Sequence, residues 1–112
     1  MLFLERYGES RDCFDEVLRI DPNEKNALIN KGLALGGMGR HRGAIECYNK
    51  VLKVDPKNET VLFNKGVELL KFNKHSNALK CFNKVLKINP KNEKASHNKK
   101  AILQVMSTKS SY

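Results

Sequence analysis

The sequence AIECYNKVLKVDPKN, at positions 44–58, returns at positions 78–92 as ALKCFNKVLKINPKN. The two copies are 34 residues apart, and residues 25–58 and 59–92 are identical at 16 of 34 positions. Self-similarity at a fixed period of this length is typical of repeat proteins, in which one supersecondary unit stacks on copies of itself. We therefore predict a repeat array.

Each repeat predicts a pair of helices. In the repeat at 25–58, small and apolar residues recur three or four positions apart in two segments separated by Gly39, which gives each helix one buried face. Those residues are Leu28, Gly32, Leu35, Ala44, Tyr48 and Val51. Gly39 and its counterpart Asn73 suit the left-handed backbone of a tight turn. A proline closes each second segment, and Asn58 and Asn92 then stand where an N-cap is needed.

This pattern resembles the tetratricopeptide repeat, a 34-residue unit of two helices. The matching positions are Leu28, Gly32, Ala44, Tyr48 and Pro56 in one repeat, and Leu62, Gly66, Ala78, Phe82 and Pro90 in the next. Lys31 and Lys65 replace the family's Leu, and the Asn-Lys-Gly triplet resembles a microbial, archaeal-type variant of the repeat. The resemblance implies an all-α fold, a right-handed superhelical stack of antiparallel helix pairs.

The resemblance also divides the chain into a single domain and a flexible tail. The parts are a partial repeat at 1–24, full repeats at 25–58 and 59–92, a capping helix at 93–106 and the tail at 107–112. In the partial repeat we expect the end of a first helix at Met1–Leu4, followed by a second helix closed by Asp21 and Pro22. Leu2, Phe3 and Leu4 would then be uncovered, which predicts either a longer array or self-association through these residues.

Charge is distributed unevenly along the chain. Of the net charge of +9, residues 1–24 contribute −4 and residues 25–112 contribute +13. A basic surface attracts nucleic acid or acidic proteins, although a lysine-rich surface also serves simply to keep a protein in solution. The side chains that would meet phosphate are Lys50, Lys53, Lys57, Lys80, Lys84, Lys87 and Lys91. Few aromatic residues accompany them to stack on bases, so nucleic acid is the less favoured partner.

Enzyme chemistry has little support in the sequence, and no cofactor is implied. His41, His75 and His97 are scattered, and no glycine-rich phosphate loop follows a strand. The three cysteines recur every 34 residues and would lie about 8–10 Å apart on stacked helices, farther than a disulfide allows. We expect free thiols that fill gaps in the core. With no apolar run of membrane-spanning length and no secretory leader, we expect a cytoplasmic protein without a membrane partner.

Binding, by the resemblance, falls on the concave face lined by the first helices of successive repeats. The residues placed there are Asn26, Ile29, Asn30, Leu33, Gly37, Thr60, Phe63, Asn64, Val67, Lys71, Lys94, His97, Asn98 and Ala101. They make an apolar strip beside a ladder of Asn amides, which can hold an extended peptide backbone. We therefore expect a non-catalytic scaffold that binds a peptide or helix of a partner protein. Recent duplication of the repeat would also leave identical Asn residues.

Some members of this family hold a partner's C-terminus in a carboxylate clamp built from Lys, Asn, Asn, Lys and Arg. Asn64 and Lys94 match two of these positions, whereas Ile29, Leu33 and Asn98 occupy the other three. Two matches of five argue against capture of a terminal carboxylate. The apolar strip and the lysines beside it favour a partner with apolar side chains and acidic flanks.

Overall fold

The computed structural model describes residues 2–21 and 24–110, with side chains for 11–21 and 24–108. These residues form six helices and no strand: α1 (Leu2–Ile20), α2 (Lys25–Gly37), α3 (His41–Val54), α4 (Glu59–Lys71), α5 (His75–Ile88) and α6 (Glu93–Ser110). Each helix packs against the next in chain order, and the molecule measures 49 × 33 × 20 Å. The all-α stack of antiparallel helix pairs is thus confirmed.

The first helix of each repeat begins at a side-chain cap. Asn58 Oδ1 accepts a hydrogen bond from the Val61 amide at 3.0 Å, and Asn92 Oδ1 accepts one from the Ala95 amide at 2.9 Å. The sequence predicted both caps. At the equivalent start of α2, the Glu24 carboxylate takes this role without having been predicted, because Glu is not among the usual N-cap residues.

The turn inside each repeat has the predicted left-handed residue. Gly39 has φ +80° and Asn73 has φ +58°. The chain reversal is completed by matching backbone bonds, from the Arg40 amide to the Leu35 carbonyl and from the Lys74 amide to the Leu69 carbonyl, both at 2.8 Å. Such bonds satisfy carbonyl groups that the end of a helix leaves without intrahelical partners.

Glycine lets the two helices of a repeat cross closely over an aromatic ring. Tyr48 and Phe82 are almost completely buried. A Cβ atom added at Gly32 would lie 2.6 Å from Tyr48 Cε1, and one added at Gly66 would lie 2.8 Å from Phe82 Cζ. Since real Cβ atoms do not approach so closely, each ring occupies the space that any larger residue would need.

The partial repeat differs from its prediction, because α1 is one continuous helix from Leu2 to Ile20. The prediction of two helical segments there is wrong, and the turn position explains it. Where the full repeats have Gly39 and Asn73, the partial repeat has Glu5, a good helix former with no preference for left-handed backbone. The predicted self-association residues Leu2, Phe3 and Leu4 lie in α1, but their side chains lie outside those that the structure describes.

Cys13 is the one cysteine that departs from the predicted core role. Cys47 and Cys81 are buried and free, as expected, whereas Cys13 is free and exposed. In the full repeats the first helix folds back beside the second, with Lys31 near Cys47 and Lys65 near Cys81. Because α1 continues straight on instead, no such helix folds back over Cys13.

The final helix extends past the predicted boundary at residue 106. α6 continues through Ser110, so residues 107–110 are helical and not the expected flexible tail. Ile102 is buried in the core and Met106 packs against it, which anchors this part of the helix. The Thr108 hydroxyl donates to the Gln104 carbonyl at 2.9 Å, within the last turns of the helix.

The buried phenol and thiols predict a loss of stability at alkaline pH. Burial raises the pKa of Tyr48, with the nearby Glu68 charge adding to the effect, and burial likewise raises the pKa of Cys47 and Cys81. The folded state therefore keeps protons that the unfolded chain loses from about pH 8.5 for Cys and about pH 10 for Tyr. The stability that these groups support is complete below that range and is lost as the pH rises through it.

We expect the melting temperature to fall above about pH 9. Tyr48→Phe, which copies the natural Phe82 of the next repeat, should reduce the fall above pH 10. The measurement is thermal unfolding by circular dichroism across the alkaline range. A melting temperature that falls equally in wild type and Tyr48→Phe would show that this phenol is not responsible.

Candidate protein-binding groove

Two shallow clefts lie side by side where α4 meets α6. One, of about 310 Å³, is lined by Glu59, Thr60, Phe63, Asn64, Asn92 and Lys94. The other, of about 320 Å³, is lined by Phe63, Glu93, Lys94, His97 and Asn98. Phe63 and Lys94 line both clefts, so the two form one continuous depression, which we call the α4–α6 groove.

Phe63 forms the centre of this groove and is held firmly in place. Its ring is half-buried against the core of the second full repeat. It meets the Phe82 ring edge-on, with centroids 5.6 Å apart and planes at 64°. This is a preferred aromatic geometry, so the groove has a preformed apolar floor.

The groove contains six of the fourteen residues predicted for the concave face. They are Thr60, Phe63, Asn64, Lys94, His97 and Asn98. Asn64 and Asn98 are half-buried, whereas Lys94 and His97 are exposed. The arrangement offers amide donors and acceptors, one cation and an aromatic surface within the reach of a short peptide.

The other predicted residues line neither cleft. On α2, Asn26 and Asn30 are exposed, Leu33 is 48% exposed, and Ile29 is half-buried against the core of its own repeat. Toward the end of α4, Val67 is half-buried and Lys71 is exposed, with its ammonium nitrogen 3.6 Å from Glu68 Oε1. Of the predicted surface, the part that lines these two clefts is the α4–α6 groove.

Three residues of the groove were not predicted to bind. Asn92 caps α6, while Glu59 and Glu93 lie in the first turns of α4 and α6. Glu59 Oε1 also accepts a hydrogen bond from Asn89 Nδ2 at 2.9 Å. Their sequence pattern is fully explained by helix starts, and nothing in it distinguishes a groove residue from a cap.

The sequence did not predict that the acidic residue Glu68 is buried. Glu68 is 6% exposed, and its Oε2 lies 2.6 Å from His41 Nδ1. Gly36 leaves it room, since a Cβ there would lie 2.9 Å from Glu68 Cδ. The equivalent positions of the neighbouring repeats hold Ala34 and Ile102, both buried and apolar, so the repeat pattern predicts an apolar residue here. The pair ties α3 to α4.

The repeat pattern and the helical stack agree with one known family. The tetratricopeptide repeat pattern matches residues 26–58 and 60–92, more than half of the chain. The chain belongs to the tetratricopeptide repeat family. The tetratricopeptide repeat is a protein-interaction fold. No curated relative matches the sequence significantly.

Solved tetratricopeptide repeat domains superimpose closely on this one. The first such domain of Spaghetti (RPAP3), bound to the HSP90 peptide SRMEEVD, aligns with a TM-score of 0.87 at 20% identity, covering 92% of this chain and 82% of that one. The Sgt2 domain of Aspergillus fumigatus aligns with a TM-score of 0.86 at 17% identity, covering 96% of this chain and 73% of that one. The Yersinia enterocolitica type III secretion chaperone SycD, in complex with a YopD peptide, aligns with a TM-score of 0.83 at 16% identity, covering 91% of this chain and 83% of that one. At these identities the likeness establishes the fold.

Two other kinds of site are not found in the described part of the chain. No group of three or more His, Cys, Asp or Glu residues there could hold a metal ion. None of the helices in those residues has the length and apolar character needed to cross a bilayer. The lysines that the sequence suggests for phosphate binding are all exposed and lie on α3, on α5 and in the turns that follow them.

Proposed function

We propose that this tetratricopeptide repeat domain is a scaffold that holds a peptide or helix of a partner protein in the α4–α6 groove, with the exposed face of α2 extending the contact. The observation that carries the proposal is the continuity of the two clefts around Phe63 and Lys94. Peptide complexes of the structurally similar RPAP3 and SycD domains support it by analogy.

The chemistry of the groove indicates what the partner segment offers. Phe63 accepts an apolar side chain, and the amides of Asn64 and Asn98 can pair with the peptide backbone. Lys94 favours an acidic neighbour, although Glu59 and Glu93 limit how much negative charge the groove tolerates. With two of the five clamp residues present, binding does not depend on a free C-terminal carboxylate.

Capture of a partner tests the groove together with the exposed face of α2. We expect the Asn30→Ala/Asn64→Ala double variant to lose a partner that wild type retains at high salt from a nuclease-treated lysate of the source cells. Each lost amide contact costs about 0.5–1.5 kcal/mol, so the affinity should fall about fivefold or more. The helical circular-dichroism signal should be unchanged.

The repeat supplies a matched control. Asn49 and Asn83 are exposed, lie 34 residues apart, and stand on the second helices α3 and α5. The Asn49→Ala/Asn83→Ala variant should bind as well as wild type. Equal loss in both variants would contradict the groove, and capture that vanishes with nuclease would point to nucleic acid on the lysine face.

A further inference from the structure

Three exposed apolar residues lie at the same position of successive repeats. Ile20 is 77% exposed, Val54 is 64% exposed and Ile88 is 40% exposed. They are 34 residues apart, each at the end of a second helix, namely α1, α3 and α5. Because equivalent residues of a stack fall along one edge, the three form a row, which we call the apolar edge. It is distinct from the α4–α6 groove, which the first helices form.

The charge along the apolar edge reverses sign from one end to the other. Residues 13–24, around Ile20, hold four acidic and one basic side chain, a net charge of −3. Residues 47–58, around Val54, have three basic and one acidic, a net of +2, and residues 81–92, around Ile88, have three basic and none acidic, a net of +3. A uniformly charged ligand such as a phosphate backbone or an anionic bilayer would be repelled at the Ile20 end.

A pocket at the basic end has room for an apolar side chain. Its volume is about 590 Å³, and it is lined by Pro56, Lys57, Leu62, Lys84, Lys87 and Ile88. Three lysines therefore surround an apolar floor. The fitting occupant is an apolar side chain flanked by acidic residues, which is the chemistry of the Ile20 end, where Val17 is also 43% exposed and Glu16 lies one turn before Ile20.

We propose that two copies of this chain associate along their apolar edges in antiparallel order. Ile20 of each copy enters the basic pocket of the other, and the two Val54 side chains meet on the two-fold axis. Such an arrangement is isologous and closed. At each end, the segment around Ile20 of one copy, with a net charge of −3, faces the segment around Ile88 of the other, with a net charge of +3. Only at the centre do like charges meet, where the two segments around Val54, each with a net charge of +2, face each other. The apolar contact is small, so the dimer should be weak, concentration-dependent and weakened by salt.

Sedimentation equilibrium from about 1 µM to about 1 mM covers the range of weak affinities. We expect wild type to form a dimer that dissociates as salt is added. Val54→Glu, which places two carboxylates on the axis, should weaken dimerisation at least about tenfold. Leu103→Glu, at a residue of α6 that is 44% exposed, should not. Lys84→Glu/Lys87→Glu should also abolish the dimer, whereas Lys99→Glu/Lys100→Glu, with the same change in net charge, should leave it intact.

Disulfide trapping tests the antiparallel order in the Cys13→Ser background, which removes the exposed thiol. Val54→Cys should cross-link with itself, and Ile20→Cys should cross-link when mixed with Ile88→Cys but not alone. Three results would overturn the proposal: a monomer at every concentration, a dimer that Val54→Glu leaves intact, or a monomer that binds phosphatidylserine vesicles through the same lysines. Partner capture by the α4–α6 groove is measured separately, and Val54→Glu should leave it unchanged.

Discussion

Replacing Phe82 with alanine is expected to lower the free energy of unfolding by about 3–5 kcal/mol. Phe82 is fully buried, fills the space opposite Gly66, and contacts the Phe63 ring of the groove. The stack cannot close around the empty volume without shifting α4 against α5. Since small domains are stable by only about 5–15 kcal/mol, the variant should melt at a much lower temperature.

Phe72→Ala is the control for loss of an aromatic ring. Phe72 is 39% exposed, and the cations of Arg42 and Lys74 lie 5.9 Å and 5.6 Å from its ring centroid. Exposed contacts of this type are worth about 0.5–1 kcal/mol. Urea unfolding of both variants makes the comparison. Similar losses in the two would show that the Gly66–Phe82 crossing is not the centre of the core.

His41→Ala is expected to cost about 1–3 kcal/mol, because it removes the closest hydrogen-bond partner of a buried carboxylate. Glu68 would retain only the Lys71 ammonium group, at 3.6 Å, among the ion pairs found in the described residues. The equivalent change in the next repeat is His75→Ala. Its counterpart of Glu68 is Ile102, so no buried charge is left behind and the cost should be well below 1 kcal/mol.

The double variant His41→Ala/Glu68→Ile tests the cause of that loss. It gives position 68, in the second full repeat, the same apolar residue that the final helix has at the equivalent position 102. Replacing both partners of a buried hydrogen bond by apolar residues can be nearly neutral or stabilising, so most of the stability should return. Equal effects of His41→Ala and His75→Ala in urea unfolding would contradict this account of the pair.

The fold was predictable because the same residue pattern occurs in two successive repeats. Gly32 and Gly66, opposite Tyr48 and Phe82, identify the helix crossings, and Gly39 with Asn73 identifies the turns. The repeat pattern does not predict the continuous α1, because it places a turn at Glu5, which does not favour left-handed backbone. A repeat pattern predicts a turn or a helix crossing reliably only where the residue that makes it possible is present in that repeat.

The candidate site was predictable only in part. Position in the first helices placed Thr60, Asn64 and Lys94 correctly beside one another, since the stack brings α4 and α6 together. Sequence position could not show that the α2 residues line neither cleft, because the depth of a cleft depends on how closely the neighbouring helices pack. Nor could it show the His41–Glu68 pair, whose members are 27 residues apart, lie in successive repeats, and have no equivalent pair at the next junction, where the equivalent residues are His75 and Ile102.

The most direct test of the groove is nuclear magnetic resonance of the ¹⁵N-labelled protein titrated with the purified partner obtained by capture. Side-chain amide signals report on each Asn separately, and the repeat provides both probes and references. We predict that the signals of Asn64 and Asn98, in the groove, shift with the partner, while those of Asn49 and Asn83 on the second helices do not. Shifts confined to Asn49 and Asn83 would contradict the account.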